Sequence, residues 1–448
     1  MTDSIIEPRA VSGFPEWLPE EEAEFQRLLG IVKKGFETFG FAPIETPAAE
    51  LLEVLASKGE INKQIYTLAR PNAAEEERET DMALHFDLTV PLARYVAMNF
   101  DKLSFPFRRY QIQKVWRGER PQKGRFREFY QCDIDVIGHE SLDPLNDAEI
   151  PAVIYGIFTK MQIGAFVIRV SNRKILQGIL LEFATPAEIA MEALRIVDRL
   201  PKIGADAVQH DLETGCGLPS ELAAHIIEIA GISGRGADVM ERLEKNNHSH
   251  PLYLEGAEEL KLLVTNLAAL GVPDDAFEVD LSITRGLDYY TGTVYETFLR
   301  DYSQLGSICS GGRYDNLASH FTTQHLPGVG ISIGLTRLFS NLLDAGIVKP
   351  SAKSPSKVLV SVMDRARLKD YFSAATELRH AGIPTEVFLE NKRFKAQIKY
   401  ADKKGIPLVL IAGETEFATG TWLLKDMRNG IQTSISRKEL VTCVSSLL

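Results

Sequence analysis

The chain is poor in cysteine: its 448 residues include four (Cys132, Cys216, Cys309, Cys443), and no two of them form a C-x-x-C pair. That scatter argues against a zinc site and a disulfide framework, and for free thiols in a reducing compartment. No apolar run approaches the roughly 18 residues needed to span a bilayer, so no membrane partner is expected. The opening MTDSIIEPRAVSGF lacks the basic-then-apolar order of a secretion leader. A cytoplasmic protein is the expectation. Excess positive charge is missing too: 50 Lys and Arg stand against 61 Asp and Glu, a formal net of −11. Non-specific nucleic-acid binders are usually basic, so the whole-chain balance speaks against one. There is no Walker A loop and no G-x-G-x-x-G in a βαβ setting, which removes the usual phosphate cradles.

What is present has a soluble globular composition, 45% hydrophobic and 25% charged, and a length that implies two to four domains. Val348–Lys357 (VKPSAKSPSK) has almost nothing to bury and reads as a linker. Beyond it, strand-like and helical segments alternate: KVLVSVMD, then a helix from Arg367 to Ala381, PTEVFLE, a helix from Lys392 to Lys404, and PLVLIAG. That is a small α/β domain with a parallel or mixed sheet. From Ser354 onward the chain holds fifteen Lys and Arg against ten Asp and Glu, a net of +5. An acidic body with a basic end suits a protein that holds an anionic polymer at that end, and equally a solvated surface. From about Pro186 to Leu270 the apolar spacing is helical in four segments, which predicts a helical insertion. Strand-like runs flank it on both sides.

The densest chemistry lies in Trp116–Gly138, WRGERPQKGRFREFYQCDIDVIG. Around it RRYQIQKVW and FYQCDIDVIG read as an antiparallel hairpin, with Pro121 and Gly124 in the loop. In the second strand Tyr130, Cys132, Ile134 and Val136 share one face, and Gln131, Asp133 and Asp135 the other. Adjacent carboxylates on one face need something positive over them, either a cationic ligand or a structural arginine. The arginines Arg117, Arg120, Arg125 and Arg127 suit phosphate, whose oxygens they can fork, or a solvated turn. Two further segments stand out. TRGLDYYTGTVYE, Thr284–Glu296, offers an arginine and paired tyrosines able to hold a flat polar ring. GVGISIGLTRL, Gly328–Leu338, is a glycine-rich strand that another backbone or a flat ligand can approach closely, running into a helix with Arg337 in its first turns.

These segments resemble the class II aminoacyl-tRNA synthetases. The hairpin is similar to their motif 2, GVGISIGLTRL to motif 3, and Phe39–Leu55 with Pro47 to motif 1, the dimer-forming segment. RGLDYYTG and SGGRYD resemble the two signature peptides of the histidyl-tRNA synthetase family, and FDLTVPLARYVA its loop over the amino acid. The resemblance implies an α/β (α+β) fold: an antiparallel-sheet catalytic domain over residues 1–185 and 276–347, a helical insertion over 186–275, a linker over 348–357 and an α/β anticodon-binding domain over 358–448. It implies ligation of L-histidine to histidine tRNA through a histidyl-adenylate, with ATP and ATP-bound Mg2+ and no protein metal cage, in a homodimer. It assigns catalysis to Arg117 and Arg285, both on the α-phosphate, and histidine binding to Asp87, Thr89, Arg117, Gln131, Asp135, Arg285, Tyr289 and Tyr290. ATP would be held by Arg117, Glu119, Arg125, Phe129 and Arg337, with Phe129 and Arg337 about the adenine. Three positions depart from the family pattern: His85 in place of arginine, Asp87 in place of the bacterial glutamate, and Thr336 in place of glutamate. The competing expectation is a synthetase-like regulatory subunit of ATP phosphoribosyltransferase; a tRNA-binding module without amino-acid chemistry is a third.

Overall fold

Alternating side chains on either side of the basic loop form two ten-residue strands, Phe107–Trp116 and Glu128–Ile137, paired antiparallel from Phe107↔Ile137 to Trp116↔Glu128. The expected hairpin is therefore present. In this computed structural model the described residues are 6–56, 64–70, 81–120, 124–284, 290–316, 318–350 and 353–448. Among them, nine strands form one sheet in which the return strand of the hairpin lies beside Gly328–Gly334, then Cys309–Tyr314, Tyr290–Leu299 and Phe166–Asn172. Every pair in that run is antiparallel. Parallel pairing is confined to Ala42–Pro43 against the outer hairpin strand and Phe277–Asp280 against Phe166–Asn172.

The glycines of the central strands permit close backbone approach. A Cβ on Gly311 would lie 2.1 Å from the Gly330 carbonyl oxygen, and one on Gly330 would lie 2.3 Å from Asp135 Oδ1. The strand then runs directly into the helix Leu335–Asp344, as the sequence predicts.

The region between Phe166–Asn172 and Phe277–Asp280 is mostly helical, including Ala187–Val197, Ser220–Ala230, Gly236–Lys245 and Pro251–Leu267. A further helix, Ala205–Gly215, was not among the four predicted; it buries only Val208 and Leu212 and gives a thin periodic signal.

Contacts divide the chain into two compact units, Met1–Glu16 with Leu28–Val348, and Trp17–Arg27 with Lys349–Leu448. The second contains a five-stranded mixed sheet. Val358–Val360 is parallel to Thr385–Val387 and Leu408–Ile411, and the Thr421–Asp426/Gln432–Ser436 hairpin adds antiparallel strands. Its core packs around Tyr371, Leu378, Leu410 and Trp422.

Candidate active site

The acid-bearing face of the return strand forms one wall of a cavity of about 1060 Å³. Gln131, Asp133 and Asp135 line it together, as their two-residue spacing predicts, and all three are buried. Asp87 and Thr89 join them from the start of the helix Thr89–Met98. Asp87 serves two directions. Its Oδ1 accepts the Val90 N–H (3.1 Å), tying down the first turn, while Oδ2 is buried without a hydrogen-bond partner among the described residues. Gln131 Nε2 donates to Ser332 Oγ (2.8 Å), and its Oε1 and Asp133 Oδ1 are likewise unpartnered. Three buried acceptors thus border one cavity, an arrangement that favours a donor-rich cationic group.

Burial pushes the Asp133 carboxyl up to about 7, against the opposing pull of Arg109 and Ser332 and with reinforcement from Asp135 and Asp87. The positive partner of Asp135 is Arg109, with Nη2 and Oδ2 2.5 Å apart and the guanidinium buried. The sequence left a structural arginine and a cationic ligand open as answers to these acids. Arg109 answers Asp135 directly, and the unpartnered acceptors leave room for the ligand as well. The pair was legible in principle, since Arg109 stands opposite Asp135 in the hairpin register.

Tyr314 closes the same corner. Its hydroxyl donates to Asp135 Oδ1 (2.7 Å), and burial holds that phenol well above its ordinary pKa. Tyr290, its register partner, also lines the cavity. Tyr314 belongs to the SGGRYD segment, where nothing in the sequence alone marks its role. The adjacent Arg313 is directed elsewhere: it forks onto Asp147 and the Leu142 carbonyl. Burial opposes its charge, yet the Asp147 fork keeps the guanidinium above its ordinary pKa.

Arg117, Glu119, Arg125, Phe129 and Arg337 all line the cavity. Here they engage one another or the backbone. Arg125 is ion-paired with Glu119. Arg117 Nε donates to the Phe86 carbonyl (3.0 Å), with its guanidinium 5.1 Å from the Phe129 ring centroid. Arg337 donates to the Leu305 carbonyl (3.0 Å). Of the other loop arginines, Arg127 donates to the Glu119 carbonyl (2.9 Å), and Arg120 does not line the cavity. Arg285 and Tyr289 lie outside the described residues. Asp198 and Lys202 of the helical insertion also reach the cavity, which no sequence signal marked. Among the described residues no group of three or more His, Cys, Asp and Glu is arranged to hold a metal ion.

The three departures have local explanations. His85 is fully buried, its Nε2 donates to the Lys114 carbonyl oxygen (2.7 Å), and burial lowers its pKa. Asp87 combines the cap with a cavity-side oxygen. Thr336 Oγ1 accepts the Tyr130 N–H (2.8 Å), pinning the helix Leu335–Asp344 to the hairpin.

The histidyl-tRNA synthetase family model matches residues 13–338, and an anticodon-binding domain model matches 357–447. The chain belongs to the histidyl-tRNA synthetase family. It is 46% identical over 457 residues to the histidine–tRNA ligase of Xanthomonas axonopodis pv. citri, covering 98% of this chain and 96% of that one. The crystal structure of histidyl-tRNA synthetase from Nostoc sp. PCC 7120 superposes with a TM-score of 0.91 at 41% identity, covering 99% and 100% of the two chains. An ATP phosphoribosyltransferase regulatory subunit/histidyl-tRNA synthetase from Bacillus halodurans C gives a TM-score of 0.73 at 18% identity, over 89% and 97%, a likeness of fold alone. The synthetase match runs through both the catalytic and the anticodon-binding parts, favouring tRNA charging over the regulatory reading.

Proposed function

We propose that this chain is a histidine–tRNA ligase, joining L-histidine to its tRNA through a histidyl-adenylate made from ATP. The observation that carries this reading is the single cavity with three acceptors unpartnered among the described residues (Asp87, Gln131, Asp133) on its wall and three guanidiniums (Arg117, Arg125, Arg337) on its lining. The α-ammonium of histidine would sit among Asp87, Thr89 and Gln131. The ring would lie against Asp135 and the Tyr289–Tyr290 pair. Arg117 and Arg285 would meet the α-phosphate and the substrate carboxylate as charge relocates between them. Glu119, Arg125, Phe129 and Arg337 would hold adenine and the outer phosphates.

No protein nucleophile is required, because the histidine carboxylate attacks the α-phosphorus and pyrophosphate leaves; the side chains position and neutralise. Mg2+ would enter on the ATP phosphates, consistent with its reluctance to shed water for a protein cage. Residues 358–448 would grip the anticodon arm, using the basic surplus of this end. A homodimer through the motif 1 segment fits the exposed apolar pair Leu51 and Met82, which face each other in a small sheet. Cytoplasmic residence fits the four free cysteines and the absence, among the described residues, of a helix long and apolar enough to cross a membrane.

Histidine-dependent exchange of pyrophosphate into ATP tests the reading. Exchange with histidine and not with other amino acids is expected, followed by transfer to histidine tRNA. Folded protein without exchange would exclude the ligase and return the regulatory subunit to the front.

A further inference from the structure

Arg109 is the most deeply buried arginine near the cavity, with no exposed surface, yet it does not line the cavity. A guanidinium taken out of water is tolerated only where its charge is answered. Arg313 is answered by both Asp147 oxygens and by backbone carbonyls, as a fold-bracing arginine is. Arg109 differs. It has an ion pair with Asp135 through Nη2, and its Nε and Nη1 have no hydrogen-bond partner among the described residues. Its charge is therefore directed at the acid wall rather than at the backbone.

Asp135 is held from two sides, by Arg109 against Oδ2 and by the Tyr314 hydroxyl at Oδ1. The strand opposite allows this only because position 330 is glycine, where any Cβ would strike Oδ1. An imidazole N–H is a single in-plane donor and needs an acceptor of fixed direction. Among the described residues, the charged and titratable groups near Asp135 include Arg109 on the outer hairpin strand, Asp133 on its own strand, Asp87 before the helix, and the phenols Tyr290 and Tyr314 on the two strands beyond the glycine strand.

We propose that Arg109 is a positioning residue for histidine selection: from behind the cavity wall it pairs with Asp135 and fixes its orientation, so that the wall reads the ring N–H of the substrate. This rests on the histidine-activating function proposed above. The acidic side of the pocket is thus a supported layer, in which Arg109 acts on the substrate through the acids it faces, Asp135 foremost and Asp133 through its field.

The test uses the full-length protein and pyrophosphate exchange, with KM measured separately for histidine and ATP in wild type, R109M, R109K, D135N and R109M/D135N. R109M is expected to raise the histidine KM ~10-fold or more, as when a pocket loses one polar reader. The ATP KM should stay near the wild-type value. R109K, which keeps the charge, should recover much of the loss. In the D135N background R109M should add little, because its effect passes foremost through Asp135. If R109M does not fold, R109Q, which loses the charge but keeps a polar side chain in the buried site, takes its place in the comparisons with wild type and with D135N, under the same expected and overturning results. An unchanged histidine KM in R109M would overturn the proposal. So would equal rises in both KM values, or an undiminished R109M effect in the D135N background. Wild-type protein without histidine-dependent exchange would instead refute the function itself, before any variant is compared.

Discussion

The two sets of side chains lining the cavity are built differently. The acid wall stands on paired strands and a helix start, its side chains are buried, and three of its acceptors have no partner among the described residues. The cationic set stands largely on the loop and its flanks, and its charges answer one another or the backbone: Arg125 meets Glu119, Arg117 meets the Phe86 carbonyl, and Arg337 meets the Leu305 carbonyl. The acid wall is ready for a ligand, whereas the cationic set must exchange present partners for phosphate. Rigid strand-borne side chains suit selection of a small ring. Loop-borne arginines suit a long, highly charged triphosphate that recruits them.

Variants can break this contrast. The largest effect is expected at Arg117: Arg117→Ala should slow adenylate formation by ~100-fold or more, as loss of one charge donor to a transition state does. A change confined to the ATP KM would instead make it a ground-state contact. Next is Asp87→Asn, which keeps an oxygen to cap Val90 but loses the charge facing the cavity. Its histidine KM should rise ~10-fold or more with folding nearly intact, because the substrate ammonium loses a charged acceptor. Equal loss for ATP would show that the two sets are not separate.

Asp133 gives a pH test. Its folded value of about 7 stands above the unfolded 3.8, so its contribution to stability is fully present below the unfolded value and is lost as pH rises through 7. Ligand-free protein should therefore lose stability between those limits, and Asp133→Asn should flatten that loss in thermal melts. A bound ammonium offsets the ionised carboxylate, so histidine should raise the midpoint more at pH 8 than at pH 5. Identical shifts at both would show that Asp133 does not sense the substrate. The smallest effect belongs to Thr336→Val, which leaves the Tyr130 N–H without its acceptor and should cost about 1 kcal/mol of stability. An unchanged melt would mean the helix is held by packing alone.

Much of this was written in local patterns. Two-residue alternation revealed the faces of the hairpin, and alternating glycines marked a strand open to close approach, though not that Asp135 is what approaches Gly330. Helical spacing found the insertion, except for Ala205–Gly215, whose buried stripe is thin. Pairing across distance was harder to see. Arg109 is an apparently ordinary arginine until the hairpin register sets it opposite Asp135. Tyr314 depends on how three separated strands assemble, and Asp198 and Lys202 on how the insertion lies over the sheet. The same limit applies to charge. The sequence shows four arginines in a short segment, but only the folded backbone separates Arg127, which donates to the Glu119 carbonyl, from Arg117 and Arg125 on the cavity lining.

The most direct measurement is a crystal structure of the full chain soaked with histidine alone. The acid wall should hold its present side-chain positions, with the ligand ammonium within hydrogen-bond reach of Asp87 Oδ2 and Gln131 Oε1, the ring N–H directed at Asp135, and Arg125 still on Glu119. Histidine bound among the arginines, or a wall that rebuilds its side chains to receive it, would contradict the account.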